Sequence, residues 1–147
     1  MKITIPIAPV GQMRPRATIA RGHARVHKAK QQQSREYAMM SLLAPHKPAA
    51  PMTGPILLGV RAYLPIPVSK SKAWKAAALA GQVRPTSKPD LDNLLKHVKD
   101  CLTTMGFWGD DAQVVGYLPG TGKHYSAEPR WEIEIIAADT LTQEGPA

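Results

Sequence analysis

The sequence predicts an α+β fold, a single domain in which helices pack on a mixed β-sheet. Three observations carry that expectation. Period-two apolar segments and 3.6-period apolar segments both occur, in the order strand, basic loop, helix, strand, helix, acidic motif with helix, strand, strand. The connectors are too short, and the segments beside them too small, for a second domain. A chain of 147 residues is large enough to bury one real core.

Lys2 to Val10 alternates Ile3, Ile5 and Ile7 on one face and reads as the first strand. Gly11 to Lys30 contains Gly11, Pro15 and Gly22 without a sustained period, which predicts a basic loop or irregular hairpin. His23 and His27 are four apart with no third ligand near, so contact with a binding partner or solvent exposure fits them better than zinc. Ala29 to Ala44 reads as a helix with Tyr37, Met40 and Leu42 or Leu43 on its buried side, ended by Pro45. Pro45 to Pro55 is a proline-rich connector within the domain.

Pro55 to Pro65 alternates Ile56, Leu58, Val60, Ala62 and Leu64, a second strand with Arg61 and Tyr63 on the other face. Ser69 to Ala80 is an alanine-rich helix stopped by Gly81, with Lys70, Lys72 and Lys75 around Trp74. Trp74 reads as a packing anchor rather than a base-stacking wedge. Ala112 to Leu118 and Arg130 to Ala137 are the last two expected strands, with Trp131, Ile133 and Ile135 inward. Glu132 and Glu134 resemble a metal pair, but alternation places them on the solvent side. Pro119-Gly120-Thr121-Gly122-Lys123 fails as a phosphate loop, because the spacing is wrong and no helix follows, so it is expected to be a hairpin loop. Asp139 to Ala147 is polar, giving an expected domain of residues 1–138 and a flexible tail, 139–147.

Between the last helix signals lies the stretch from Lys88-Pro89-Asp90-Leu91-Asp92 to Gly109-Asp110-Asp111. Pro89 biases Lys88 towards an extended conformation, and an extended run would put Asp90 and Asp92 on one face. Leu91, Leu94, Leu95, Val98, Cys101, Leu102 and Met105 then follow one helical stripe, with Lys96, His97, Lys99 and Asp100 off it. Asp92 or Asn93 is the expected N-cap and Gly106 the stop. Lys96 sits one turn beyond Asp92.

Asp111 returns a third carboxylate after the helix. Three converging carboxylates repel unless a cation sits among them, and hard oxygen ligands suit Mg²⁺. A lysine beside them can hold a phosphate oxygen. The same residues also admit a structural account: a helix cap, a surface ion pair and a turn.

Charge points the same way. The net charge is +8, and residues 1–35 hold Lys2, Arg14, Arg16, Arg21, Arg25, Lys28, Lys30 and Arg35 with no acidic residue. The remaining 112 residues hold eleven basic and eleven acidic side chains, so the excess belongs to the N-terminal stretch. Such asymmetry favours a polyanion, with arginine forks on phosphate; a solubilising basic arm is the plainer alternative. The lone Cys101 lies on the apolar stripe and reads as core. The short, proline-broken run from Ile3 to Val10 is no signal peptide, and no stretch approaches the roughly 20 apolar residues of a membrane span. A cytoplasmic setting without membrane is expected.

Lys88-Pro89-Asp90-Leu91-Asp92-Asn93-Leu94-Leu95-Lys96, then Asp100-Cys101-Leu102, then Gly106-Phe107-Trp108-Gly109-Asp110-Asp111-Ala112-Gln113-Val114-Val115, resembles the RusA-type Holliday junction resolvases. The resemblance covers about a fifth of the chain closely. The flanks, through Arg14-Pro15-Arg16 and Lys123, match more loosely.

It implies a RusA-like endodeoxyribonuclease domain that uses Mg²⁺, with Mn²⁺ able to substitute, and resolves four-way junction DNA by paired symmetric nicks as a homodimer. The essential aspartates fall on Asp90, Asp92 and Asp111, as metal ligands and catalytic groups, and the essential lysine on Lys96; Asp110 is a less defined contributor. Arg14, Arg16, Arg21, Arg25, Lys28, Lys30 and Lys123 are the expected DNA-binding set. A metal-dependent nuclease for other branched nucleic acids and a non-catalytic junction-binding protein are the alternatives.

Overall fold

The structure, a computed structural model, describes residues 1–12, 16–20, 22–27 and 30–139, with backbone alone for 16–20 and 23–27. In chain order the elements are β1 (Lys2–Ile5), β2 (Arg16–Ala20), β3 (His23–His27), α1 (Lys30–Leu43), β4 (Ile56–Pro65), α2 (Lys72–Leu79), α3 (Leu91–Thr104), β5 (Val114–Tyr117), β6 (Gly122–Ser126) and β7 (Arg130–Ala137). The expected mixed sheet and packed helices are both present.

β4 is the strand around which the main sheet forms. Antiparallel β7 covers one edge along eight residue pairs, Ile56↔Ala137 to Tyr63↔Arg130. β5 and β6 lie one after the other along the opposite edge, both parallel to β4. β1 closes the far side against β7, from Lys2↔Glu134 to Ile5↔Trp131. β2 and β3 form a separate two-stranded hairpin. Arg16–Ala20 and His23–His27 therefore take the hairpin alternative rather than the basic loop.

β6 corrects the reading of the C-terminal third. Pro119 to Lys123 is not a loop between two paired strands: a turn at Leu118–Thr121 passes the chain from β5 into β6, and Lys123 lies inside that strand. Short polar β6 has no apolar alternation to announce it; β4 selects it by offering five more backbone partners, Arg61 to Pro65.

One face of the sheet is apolar and carries the helices. Ile3, Ile5, Ile56, Leu58, Val60, Ala62, Trp131, Ile133 and Ile135 are buried there, as their alternation predicts. α3 lays Leu94, Leu95, Val98, Cys101 and Leu102 on this layer, with Leu91 and Met105 at its margins. Each fully buried side chain of this size contributes about 1.5–3 kcal/mol, so Leu102→Ala alone would cost about 2–5 kcal/mol.

α1 departs from its expected face. Gln32, Met39 and Leu43 are buried, whereas Tyr37 is 73% exposed. Its sequence is nearly without amphipathic contrast, so packing against α3 and β1 chose the face. Trp74 meets Tyr125 edge-on at 5.4 Å with Lys70 above it, in keeping with a packing anchor. Among the described residues no helix is long and apolar enough to cross a membrane.

Candidate active site

α3 starts from an N-cap two or three residues earlier than the expected one, Asp92 or Asn93. Asp90, in extended backbone at φ −68° and ψ 145°, is the N-cap, and Asp92 already lies in the first turn. The expectation that Asp90 and Asp92 share the face of an extended run is therefore wrong; they flank a helix start. Leu91, the first helical residue, packs at the edge of the core. The Asp90 side chain makes no cap bond and no other hydrogen bond among the described residues. Asp90, Asp92 and Lys96 are all exposed. Lys96 follows Asp92 by one turn on the same helix, as expected.

A groove beside Asp90 is lined by Gly11, Gln12, Arg35, Lys88, Pro89 and Asn93, among others. It also holds the root of the basic hairpin. Gln12 N donates to Asn93 O, Gln12 Nε2 donates to Asp100 Oδ2 at 2.8 Å, and Arg35 Nη1 donates to Gly11 O at 3.0 Å. Gly11 permits this close passage: a Cβ there would lie 3.1 Å from Pro89 Cβ and 3.3 Å from Asn93 Cβ. The hairpin thus leaves the domain beside the first acidic pair.

The far end of α3 closes with Gly106 at φ +82°, where Gly106 N reaches Thr103 O and Phe107 N reaches Leu102 O. The chain returns through a 3₁₀ turn, Asp111–Gln113, whose N-cap is Asp110. Asp110 Oδ1 accepts from Ala112 N at 2.8 Å. Gln113 Oε1 accepts from Gly109 N and Asp110 N, and its Nε2 donates to Met52 O and Gly54 O. Asp110 is therefore a turn-forming residue.

Asp111 is differently held. Thr103 Oγ1 donates to Asp111 Oδ1, and buried Trp108 Nε1 donates to Thr103 Oγ1 at 2.7 Å. The indole thus orients the hydroxyl, and the hydroxyl orients the carboxylate.

These positions separate the expected triad. From Asp92 to Thr103, which holds Asp111, the helix rises about 16 Å at about 1.5 Å per residue. Two oxygens on one Mg²⁺ lie at most about 4.2 Å apart, and a two-ion site spans about 8 Å. Within one chain this rise sets Asp111 apart from Asp90 and Asp92 along α3. Among the described residues no three His, Cys, Asp or Glu side chains are grouped to hold a metal.

Of the expected DNA-binding residues, Arg14, Arg21 and Lys28 lie outside the described residues. Arg16 pairs with His27, and Arg25 with Thr18, in the hairpin ladder. Lys30 opens α1 and is exposed. Lys123 donates from Nζ to Ser87 O at 2.6 Å, tying β6 to the segment that leads into Asp90.

Three residues escaped the sequence reading. Gln113 was legible in principle, as Asp110 and Gln113 carry the spacing of a capping box. Thr103 had no signal, because its role depends on where Trp108 and Asp111 return. His97, expected off the buried stripe, is 1% exposed and lies against Trp131 with ring centroids 6.1 Å apart. Burial lowers its pKa below the ordinary histidine value; Arg35 lowers it further, while Glu36 and Asp100 oppose.

Comparison with known proteins identifies the family. The family model described as Endodeoxyribonuclease RusA matches residues 6–136. An uncharacterized protein, YqaN, from Bacillus subtilis (strain 168) is 40% identical over 138 residues, covering 92% of this chain and 94% of its own. A crossover junction endodeoxyribonuclease, rusA, from Lactococcus phage r1t is 50% identical over 30 residues, 20% of this chain and 23% of its own. With nearly its whole length inside that model, from the β1 end to β7, the chain belongs to the RusA family of endodeoxyribonucleases, hydrolases that act on DNA.

Proposed function

We propose that this protein resolves four-way DNA junctions by paired symmetric nicks, as a homodimer that uses a divalent metal, Mg²⁺ or, in its place, Mn²⁺. The observation that carries the reading is the helix start at Asp90. Two carboxylates two positions apart, without hydrogen bonds among the described residues, stand there in the open, with Lys96 one turn on and the basic hairpin rooted alongside.

The donor set fits a hard cation: Asp90 and Asp92 offer oxygens only, beside a groove that also presents Lys88 and Arg35. When bound, the metal would activate water and neutralise charge on the scissile phosphate. Lys96 would hold a phosphate oxygen or the leaving oxygen. The hairpin arginines and lysines would supply affinity independent of sequence.

Asp111 enters this scheme through a second copy. A two-fold dimer that sets the C-terminal end of α3 of one protomer against the N-terminal end of its partner's would bring Asp111 to Asp90 and Asp92 across the interface. Each junction would then meet two equivalent sites, as paired nicking requires.

The test is cleavage of a synthetic four-way junction beside linear duplex of the same sequence, with Mg²⁺ or EDTA. Symmetric nicks in the junction only, in Mg²⁺ only, are expected; equal cutting of duplex would make the protein a general nuclease. Mixing inactive Asp92→Asn and Asp111→Asn chains then examines the dimer. Sites shared between protomers would recover about a quarter of the nicking capacity, since half of the dimers regain one intact site. No recovery from mixed, exchanging dimers would sink the shared site.

A further inference from the structure

The turn between β5 and β6 gathers hydrogen-bond donors that the catalytic reading does not use. Leu118-Pro119-Gly120-Thr121 closes through Thr121 N to Leu118 O at 3.2 Å, with Gly120 at φ +89°. Proline second and a left-handed glycine third are the requirements of a type II turn. The absent side chain at Gly120 also makes room for a guanidinium: a Cβ there would lie 2.4 Å from Arg61 Nη2. A Cβ at Gly122 would lie 2.7 Å from Arg84 Nη2.

His124 stands between the two arginines. Its Nε2 is 3.1 Å from Gly120 O and 3.5 Å from Arg84 Nη2. A carbonyl only accepts, so Nε2 carries the proton and faces Arg84 donor to donor. Arg84 Nε is fixed on Lys123 O at 2.9 Å, which aims the rest of its fork at the same place. Among the described residues no carboxylate lies within ion-pair distance of Arg61 or Arg84. Glu132, opposite Arg61 in the ladder, is taken by Arg130 Nε at 3.1 Å, and Arg130 in turn stacks on Tyr63 at 4.0 Å. Tyr63 backs His124, with ring centroids 5.3 Å apart. Burial first, with Arg84 and Arg61 adding to it, lowers the His124 pKa against the opposing Gly120 carbonyl and Glu132. The ring is thus a neutral donor at pH 7.

Two guanidiniums and an imidazole N–H converge with only two backbone carbonyls, Gly120 O and Lys123 O, as internal acceptors among the described residues. We infer that Arg61, Arg84 and His124 form a second phosphate-binding site, which takes the sugar-phosphate backbone of a DNA arm away from the scissile position. Guanidinium forks suit two phosphate oxygens at once. Location supports DNA over a small anion. Arg84 is six residues before Asp90, so their Cα atoms are at most about 21 Å apart, or about six base pairs at about 3.4 Å each. A duplex arm whose cut phosphate lies at Asp90 and Asp92 is long enough to reach the patch. The inference rests on the proposed active site for that path alone; the converging donors do not depend on it.

The experiment is equilibrium binding of a labelled duplex and a labelled four-way junction in EDTA, over a range of salt. It compares wild type with Arg61→Gln/Arg84→Gln and with Arg61→Lys/Arg84→Lys. For the glutamine pair, binding should weaken about tenfold at 0.1 M salt, and the slope of log affinity against log salt should fall by about 2. The lysine pair should keep the slope but lose part of the affinity, since charge remains and the fork does not. A glutamine pair with wild-type slope and affinity on both DNAs would overturn the site. Metal is absent, so the outcome is separate from catalysis. A lowered slope in a protein that never cuts junctions keeps the patch and removes the resolvase reading; cutting with an unchanged slope does the reverse.

Discussion

The two ends of α3 treat the same side chain in opposite ways. At the N-terminal end, Asp90 makes no cap bond, and it and Asp92 stand exposed beside a groove. At the C-terminal end, Asp110 is bonded into a 3₁₀ turn and Asp111 is held by Thr103, itself held by buried Trp108. The first pair is available to something outside the chain. The second end presents one carboxylate in a fixed orientation, with its neighbour used to build the turn. A site assembled from both ends therefore joins a free part to a pre-oriented part, and each part should fail in its own way.

The largest effect is expected at the free end. Asp92→Asn keeps the size and exposure of the side chain but removes a full negative charge and a hard ligand, so junction cleavage should fall on the order of a thousandfold or more. Thermal stability and EDTA-phase junction binding should stay at wild-type levels, because no internal bond of Asp92 is lost. Wild-type cleavage rates in this variant would remove Asp92 from the active site.

An intermediate effect is expected at the oriented end. Thr103→Val keeps shape but loses the hydroxyl that links Trp108 to Asp111. Loss of a group that orients a metal ligand typically costs about 10–100-fold in metal affinity or activity. The Mg²⁺ concentration for half-maximal cleavage should rise by that factor, and Thr103→Ser should restore it. A Val variant with wild-type Mg²⁺ dependence would show that Asp111 needs no such support. Gln113→Ala addresses the turn itself: four backbone groups lose a partner, at a cost of about 1–3 kcal/mol, or roughly 3–10 °C in Tm. An unchanged Tm would mean that water replaces the amide without penalty.

The contrast between the ends also sorts what the sequence could disclose. β4, β7 and the apolar stripe of α3 were legible because alternation and 3.6-residue spacing record which face meets the core. Asp90, Asp92, Lys96 and Asp111 stand out in the sequence as a motif. Their separation was not legible, because it depends on α3 running as one unbroken helix from Leu91 to Thr104, and on where the chain turns afterwards. β6 was hidden for a related reason. Its partner is chosen by the open edge of β4, and a parallel pairing sixty residues apart leaves no local mark. The Arg61–Arg84–His124 convergence depends on both.

His97 offers the smallest and most local test, on the buried side of α3. Its Nδ1 has no hydrogen-bond partner among the described residues, and Trp131 lies against the ring. Burial and Arg35 disfavour the imidazolium, while Glu36 and Asp100 favour it, and the balance lowers the pKa. The unfolded chain then binds a proton near pH 6.5 that the folded chain refuses, so stability is lost as the pH falls through that value. The slope for one such proton cannot exceed about 1.4 kcal/mol per pH unit. Between pH 7.5 and 5.5 the wild-type Tm should therefore decline, and the decline should be smaller in His97→Leu, which has nothing there to protonate. Both proteins keep His124, whose lowered pKa acts in the same direction, so it cancels in the comparison. Parallel Tm curves for the two proteins would assign the acid sensitivity to other groups and leave His97 as a packed ring with no electrostatic role.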